Sequence, residues 1–246
     1  MSSAPAMISA RALGAMPDFV RSELGERSLA ATLDHARLPH HIQDSQDGFI
    51  LEESIIRFVD FAARRLGEDK LGLLLAPFLS VQEYGVWGDY VLSAPTVGDA
   101  MVRSCEAIRY HGSRDLLHVW ASDRQIRFSY VFAKSGIDGY PDIAYCAVGV
   151  MLSLIRGYLG PAWSPAGIAL NIRKPTRAHL VEEAFGCPVI YETPDVAIIF
   201  DRQLAAAPGP PRARRSIVTL DDVIRARSGG APRTLPRRRH GTDPGS

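Results

Sequence analysis

LGLLLAPFLSVQEYGVWGDYVLSAPTVGDAMVRSCEAIRY, residues 71–110, decides the fold because several local signals follow one another within it. An apolar lead-in is followed by Gly85 and Gly88, which predict a bend or bulge because glycine adopts backbone conformations closed to other residues. Trp87 lies between these glycines, so we expect its side chain to be turned inward. Residues 90–93 then predict a short strand.

A helix is predicted immediately after this strand. Pro95 ends the strand, because proline offers no N–H to a ladder and restricts the residue before it. Thr96 followed by Asp99 has the form of a capping box, in which each side chain satisfies a free N–H of the first helical turn. The apolar residues beyond it recur at helical spacing, so the helix should pack one face on a sheet; they are Val97, Ala100, Met101, Cys105 and Ile108.

Segments with helical patterns fill the chain before this stretch. Residues 8–24 predict a helix that Pro17 interrupts or restarts, and residues 28–37 and 49–66 predict two more amphipathic helices. We therefore expect four helices before the sheet.

Strands and helices alternate irregularly after it. Residues 116–132 predict a hairpin because apolar and polar side chains alternate on both sides of a turn at residues 122–125. The remaining expected elements are an apolar helix at 143–159 capped by Asp142, a strand at 167–172, a helix from Thr176 to 185, and strands at 188–191 and 196–200. This order predicts an α+β fold, with N-terminal helices followed by a mixed or antiparallel sheet with packed helices.

Composition is that of a soluble globular protein. The 246 residues are 46% hydrophobic and 22% charged, which is enough to bury a sizeable core. Residues 143–159 are shorter than the roughly 20 residues of a membrane span and contain Arg156, so we expect a core helix and no membrane association. Cys105, Cys146 and Cys187 are few, odd in number and far apart, which favours buried thiols in a reducing cytoplasm over a disulfide frame.

Basic residues concentrate at the C-terminal end. The whole chain carries a formal charge of +1, whereas residues 208–246 contain nine Arg and three Asp, a local charge of +6. A basic tail on a mildly acidic domain is typical of a segment that meets phosphate. A solubilising disordered tail has the same composition, and composition alone leaves both interpretations open.

Residues 71–110 resemble part of the effector-binding N-terminal domain of AraC-family bacterial transcription regulators, in the arabinose-binding-like (OruR-type) branch. LGERSLAATLDHARLP (24–39) is similar to the family's opening helix, and FGCPVIY (185–191) and VAIIFDRQL (196–204) to its last elements. The resemblance implies a cytoplasmic regulator without a cofactor, whose residues 1–204 bind a small-molecule effector and dimerise. Its implied partner is a second copy, or an intact regulator in a heterodimer.

The tail resembles an incomplete DNA-binding domain. Residues 205–214 read as a linker, and TLDDV with RTLPRRR in residues 215–246 is similar to the family's first helix-turn-helix, with Thr219 as a helix cap. Pro236 would fall inside the recognition helix, and no second helix-turn-helix follows. We expect a degenerate or truncated remnant that is disordered in isolation and binds DNA weakly or not at all. The resemblance assigns DNA contact to Arg233, Thr234, Arg237, Arg238 and Arg239.

Candidate effector contacts combine aromatic walls with polar groups that could orient a ligand. They are Tyr84, Trp87, Tyr90, Arg109, His118, Trp120, Arg127, Tyr130 and Tyr145. An arginine among them would favour a carboxylate-bearing effector through paired hydrogen bonds. Ordinary core packing is the alternative for each aromatic residue, and a solvated surface charge is the alternative for each arginine.

Enzyme motifs are absent from the sequence. It has no nucleophile elbow, phosphate-binding loop, dinucleotide turn or metal-binding His/Glu helix, so we expect neither catalysis nor a metal site. A catalytic pair assembled from distant positions stays open, as does a free-standing sensor or dimerisation module that modulates an intact regulator.

Overall fold

The computed structural model describes residues 5–43, 45–209 and 218–227. The helices in this part of the chain are α1 (Met16–Leu24), α2 (Glu26–Ala36), α3 (Glu52–Leu66), α4 (Leu71–Leu75), α5 (Val86–Leu92), α6 (Val97–Ala107), α7 (Tyr140–Leu159), α8 (Ala178–Phe185) and α9 (Leu220–Ala226). The strands are β1 (Met7–Ser9), β2 (Phe49–Leu51), β3 (Leu116–Ala121), β4 (Gln125–Val131), β5 (Gly167–Ala169), β6 (Val189–Ile190) and β7 (Val196–Asp201).

Five strands form one mixed sheet in the order β3-β4-β7-β5-β6. All neighbouring pairs are antiparallel except β5 and β6, which are parallel. Phe128 in β4 lies opposite Val119 of β3 and Ile198 of β7, so apolar side chains run across the middle of the sheet. The α+β class, the mixed sheet and the hairpin at 116–132 are confirmed.

A second, two-stranded sheet ties the N-terminal helices to the rest of the protein. β1 pairs with β2, and on its other side Ile8 forms a bridge with Gly112. Ser9 N–H donates to the His111 carbonyl at 2.7 Å, and Ser113 N–H donates to the Met7 carbonyl at 2.8 Å. The segment that enters β3 is therefore held by a strand about a hundred residues earlier in the chain.

Helix α7 contributes to two hydrophobic clusters. The N-terminal cluster is built on α1 to α4 and includes Leu13, Leu33, Phe58, Val59 and Leu75, together with Ile143 and Cys146 of α7. The sheet cluster includes Met101, Phe128, Ile198 and Phe200, together with Val148, Leu152 and Ile155 of α7. By length and composition α7 could cross a membrane, but most of its residues are buried inside the protein. It is the core helix that the sequence predicts.

The predicted strand at residues 90–93 is wrong, because residues 86–92 form helix α5. Gly85, with a φ of +60°, ends the short 3-10 helix Val81–Tyr84 and allows the chain to start α5. A Cβ on Gly88 would lie 2.0 Å from the Val81 carbonyl oxygen, so this glycine permits close packing within a helix rather than a bulge. Trp87 does point inward and is 4% exposed.

Helix boundaries differ from the prediction in three further places. Six helices, not four, precede the five-stranded sheet in the described chain. Asp142 lies inside α7, and its carboxylate accepts from Gly72 N–H at 2.8 Å, so it caps α4 and not its own helix. The residue before α8 is Arg177, without a capping side chain, where the sequence suggested Thr176. The cap of α6 is confirmed, since Thr96 Oγ1 accepts from an N–H in the first turn.

Part of the C-terminal region packs on the domain. Ala207 accepts from Val97 N–H at 3.1 Å, and Gly209 N–H donates to the Pro95 carbonyl at 2.9 Å, so the start of the expected linker follows the protein surface. Thr219 opens α9 with a reciprocal capping box, as expected for that residue. Helix α9 packs on the domain, with Val223 fully buried against the sheet cluster. That residues 215–246 are disordered in isolation stays a prediction.

Gly149 provides a test of how closely α7 approaches its neighbours. A Cβ there would lie 2.3 Å from the Ala76 carbonyl oxygen, so we expect Gly149→Ala to lower the free energy of unfolding by about 1–3 kcal/mol.

Gly157 in the same helix is the control, because a Cβ there meets only the tip of Leu92 at 3.4 Å. Gly157→Ala should be neutral or stabilising by up to about 1 kcal/mol, since alanine favours helix. Urea unfolding measures both; equal effects would contradict the proposed close contact.

Candidate functional site

A pocket lies between the two hydrophobic clusters. Its volume is about 90 Å³, and every residue that lines it is buried or half-buried. Helix α7 forms one wall with Ala147, Val150 and Met151, and strand β4 contributes Phe128 and Tyr130. The pocket is therefore an internal space that the packing of the two clusters creates.

Three rings form one wall of the pocket. The Tyr84 and His111 rings stack with their centres 4.5 Å apart, and the Trp87 and His111 rings lie 5.3 Å apart. Trp87 Nε1 donates to the Ala107 carbonyl at 2.9 Å, which fixes the indole against the end of α6. His111 is placed by its backbone hydrogen bond to β1. The pairing of distant segments thus builds this aromatic wall.

His111 is a buried imidazole with an unused hydrogen-bonding atom. Burial, with a smaller contribution from the charge of Arg227, lowers the pKa of His111 to about 3. The ring is therefore neutral at pH 7. Its Nδ1 has no hydrogen-bond partner in the part of the chain that the structure describes.

Two buried carboxyl groups lie close to each other, and one of them lines the pocket. Glu52, the first residue of α3, lines the pocket, is 3% exposed and accepts only a long hydrogen bond of 3.4 Å from Lys134 N–H in the described structure. Asp115 accepts from Tyr130 Oη at 2.8 Å and from Ala133 N–H at 3.0 Å. Burial, then the charge of Asp115, raises the pKa of Glu52 to about 8. Glu52 therefore holds its proton at neutral pH.

Five of the predicted effector contacts are buried, but they do not lie together. Tyr84, Trp87 and Tyr130 line the pocket. Tyr90 packs instead under the guanidinium of an α6 arginine, and Tyr145 faces α8, where its ring lies near Phe185. The structure thus brings together three of the nine residues and places these two in ordinary core packing.

The other four predicted contacts lie away from the pocket. Arg109 is exposed, and His118 and Trp120 point to solvent from β3, with Trp120 62% exposed. Arg127 forms an ion pair with Asp195. Within the described residues no Lys or Arg lines the pocket, so the arginine that was expected to bind a carboxylate is absent from this wall.

The predicted DNA contacts lie outside the described residues. Arg233, Thr234, Arg237, Arg238 and Arg239 stay predictions, since the described tail ends at Arg227.

Sequence reasoning missed Glu52 and His111, which line the pocket, and Asp115, which lies beside Glu52. Glu52 has the position of an ordinary acidic residue in the first turn of a helix, where the helix dipole favours it. His111 and Asp115 occur in an irregular connection without a motif. Only the long-range pairing around β1 distinguishes these residues from surface polar groups.

Comparison with known proteins gives a consistent result. The family model for the N-terminal arabinose-binding domain of AraC transcription regulators matches residues 27–208. The crystal structure of the transcriptional regulator CdpR from Pseudomonas aeruginosa is similar in fold, with a TM-score of 0.54 and 16% sequence identity. That similarity covers 81% of this chain and 64% of the CdpR chain, so this chain spans less than two thirds of that protein. No curated protein matches the sequence.

The raised pKa of Glu52 predicts how stability changes with pH. Its pKa is near 4.5 in the unfolded chain and about 8 in the folded one, so between these values only the folded state holds the proton, and stability falls as pH rises. Between pH 7 and 8 His111 and Asp142 are mostly unprotonated in both states, because an unfolded histidine has a pKa near 6.5 and the folded pKa values of the two groups are about 3 and about 6. Burial raises the pKa of the neighbouring Asp115 as well, so we expect Glu52→Gln to reduce the decline in this window and not to abolish it.

Chemical denaturation at several pH values between 7 and 8 measures this effect. Glu53→Gln is the matched control, because Glu53 is the next residue but lies at the surface and pairs with Arg57. An unchanged slope in Glu52→Gln would show that Glu52 does not hold the proton.

Proposed function

This chain belongs to the AraC family of transcription regulators through its arabinose-binding N-terminal domain, and we propose that the pocket between its two hydrophobic clusters binds the effector. The observation that carries this proposal is the position of the pocket, because residues of both hydrophobic clusters line it. Mostly apolar walls with a few converging polar groups are typical of small-molecule sites. A ligand there would change how the two clusters pack.

A contact from the C-terminal segment supports a route from this pocket to the rest of a regulator. Arg227, which follows α9, is 7% exposed and donates to Ser9 Oγ and to the Tyr84 carbonyl, the latter at 3.1 Å. Tyr84 lines the pocket with its side chain. The same residue therefore touches the effector space and holds the segment that leads towards the predicted DNA contacts.

The docking of this segment is finely balanced. Arg227 is a buried cation whose hydrogen-bond acceptors in the described chain are a hydroxyl and a carbonyl, not a carboxylate. Burial lowers its pKa to about 10, which reflects the cost of removing the charge from water. Val223 offsets part of this cost by burying its side chain completely. A ligand that shifts Tyr84 could then favour or oppose docking through its different affinity for the two states.

The regulator would act in the cytoplasm on DNA, as a homodimer, and without catalysis. In a complete relative, release or capture of the tail would change how the DNA-binding segment is presented. A free-standing module that pairs with an intact regulator is the alternative, and the two differ in whether this chain itself binds promoter DNA.

Filling the pocket tests the proposed site. Ala147→Leu adds carbon atoms to the α7 wall, whereas Ala162→Leu adds the same group at an exposed position and is the control. In a thermal-shift screen of metabolites, we expect some compounds to raise the melting temperature of the wild type and of Ala162→Leu but not of Ala147→Leu. A ligand at a hundred times its Kd stabilises by about 2.7 kcal/mol, which such a screen detects easily.

The compounds found in this way should also change expression of a reporter under the gene's own upstream region. This response should be lost in Ala147→Leu and kept in Ala162→Leu. Compounds that stabilise all three proteins equally would place the effector elsewhere and contradict the proposal.

Undocking the C-terminal segment tests the coupling. Val223→Asp places a carboxylate in the core and should release α9, so that its amides exchange with solvent at least tenfold faster. Ala226→Asp adds the same charge at an exposed position of α9 and should change exchange little. By reciprocity, Val223→Asp should also shift the Kd of a pocket ligand, measured by calorimetry. An undocked tail with an unchanged Kd would show that pocket and tail are independent.

A further inference from the structure

Most polar side chains at the pocket already have partners within the protein. Ser104 Oγ donates to the Ala100 carbonyl at 2.8 Å in its own helix, and Trp87 and Tyr130 donate to Ala107 and Asp115 respectively. These groups have no free proton to offer a ligand. They shape the pocket but do not select what enters it.

Two buried groups keep unused hydrogen-bonding capacity. Glu52 and His111 are each 3% exposed, and both line the pocket. His111 Nδ1 has no partner in the described structure, and Glu52 accepts there only the long hydrogen bond from Lys134 N–H. Buried polar groups are normally satisfied, so an unpartnered ring nitrogen and a weakly bonded carboxyl group in one small pocket indicate a missing partner.

The charges around the pocket disfavour an anion. A carboxylate beside Glu52 would lie near the acidic Asp115, and the positive groups near Glu52, Lys134 and Arg114, do not line the pocket. A buried carboxylate would therefore lose its hydration without gaining a counter-charge.

An ammonium group is also disfavoured. Glu52 is uncharged at neutral pH, and Arg227 places a positive charge against the backbone of Tyr84, which lines the pocket. The walls are otherwise apolar, so a cation would lose its hydration without gaining a counter-charge.

The volume restricts the size of the ligand. An engineered apolar cavity of about 150 Å³ is known to bind benzene, and this pocket of about 90 Å³ is smaller. A molecule of single-ring size therefore requires the pocket to expand by more than half of its volume, and anything much larger requires the two clusters to separate.

We propose that the pocket takes an uncharged, mostly apolar molecule of about single-ring size, with one oxygen or nitrogen that accepts a hydrogen bond from Glu52. This inference rests on the proposed effector function of the pocket. It replaces the carboxylate-bearing effector that the arginines in the sequence suggested.

Three probes of matched size and different charge test this ligand class. Benzyl alcohol is neutral, benzoate is an anion and benzylamine is a cation at pH 7. Titrations of the full chain, followed by the methyl resonances of Met16 and Met151 in the pocket wall, give each Kd. We expect benzyl alcohol to bind at least tenfold more tightly than either charged probe, both to the wild-type protein and to the Glu53→Leu variant.

Variants at Glu52 test the hydrogen bond. Glu52→Gln keeps a donor of similar size and should bind benzyl alcohol within a few-fold of the wild type. Glu52→Leu removes the donor and should weaken binding by about tenfold, the effect of one lost hydrogen bond. Glu53→Leu changes the adjacent, half-exposed side chain and serves as the matched control.

Several results would overturn the proposed ligand class. These are benzoate binding as tightly as benzyl alcohol, benzylamine binding tightest with release of a proton from Glu52, or no binding of any probe. Failure of the effector site itself gives a different result. In that case the compounds found in the thermal-shift screen stabilise Ala147→Leu as well as the wild type. Compounds that depend on Ala147 while the probes fail would leave the effector site in place and remove only the ligand class.

Discussion

Helix α7 is apolar around most of its circumference, and the rest of the structure follows from the need to cover it. A helix of this kind cannot leave a face to solvent, so the N-terminal helices pack on one side and the sheet on the other. Gly72 and Gly149 allow backbone to approach backbone at these crossings, where any side chain would collide. Two separate clusters on one helix leave a gap where they meet, and that gap is the pocket.

Periodicity was sufficient to predict the elements that are long or paired locally. The hairpin at 116–132, the core helix and the cap at Thr96 follow from patterns within a few residues of each other. Helix α5 could not be predicted in this way, because its seven residues make barely two turns and its apolar side chains fit a strand equally well. What selects the helix is tertiary: Gly88 lies against the Val81 carbonyl, a contact that permits only glycine.

The pocket was predictable only in its aromatic half. Aromatic side chains are a local signal, strengthened for Trp87 by its position between two glycines, and Tyr84, Trp87 and Tyr130 do line the space. The polar half depends on which charged side chains are buried, and this cannot be read from a single sequence. Any charged residue is expected at the surface from sequence alone. Glu52 becomes a buried acid because the pairing of β1 with β2 places the start of α3 against the segment that follows β4.

Polar groups that conflict with burial therefore mark where the structure can change. Glu52 keeps its proton only while the clusters exclude water, and Arg227 keeps its place only while its backbone and hydroxyl acceptors stay aligned. Burial is unfavourable for both groups. Each therefore reduces the free-energy difference between the packed arrangement seen here and one in which the group is exposed to water. Tyr84 joins the pocket wall to the Arg227 contact, and this residue is the route by which we propose that the two are coupled. A domain that responds to a small molecule needs a small free-energy difference between its two states.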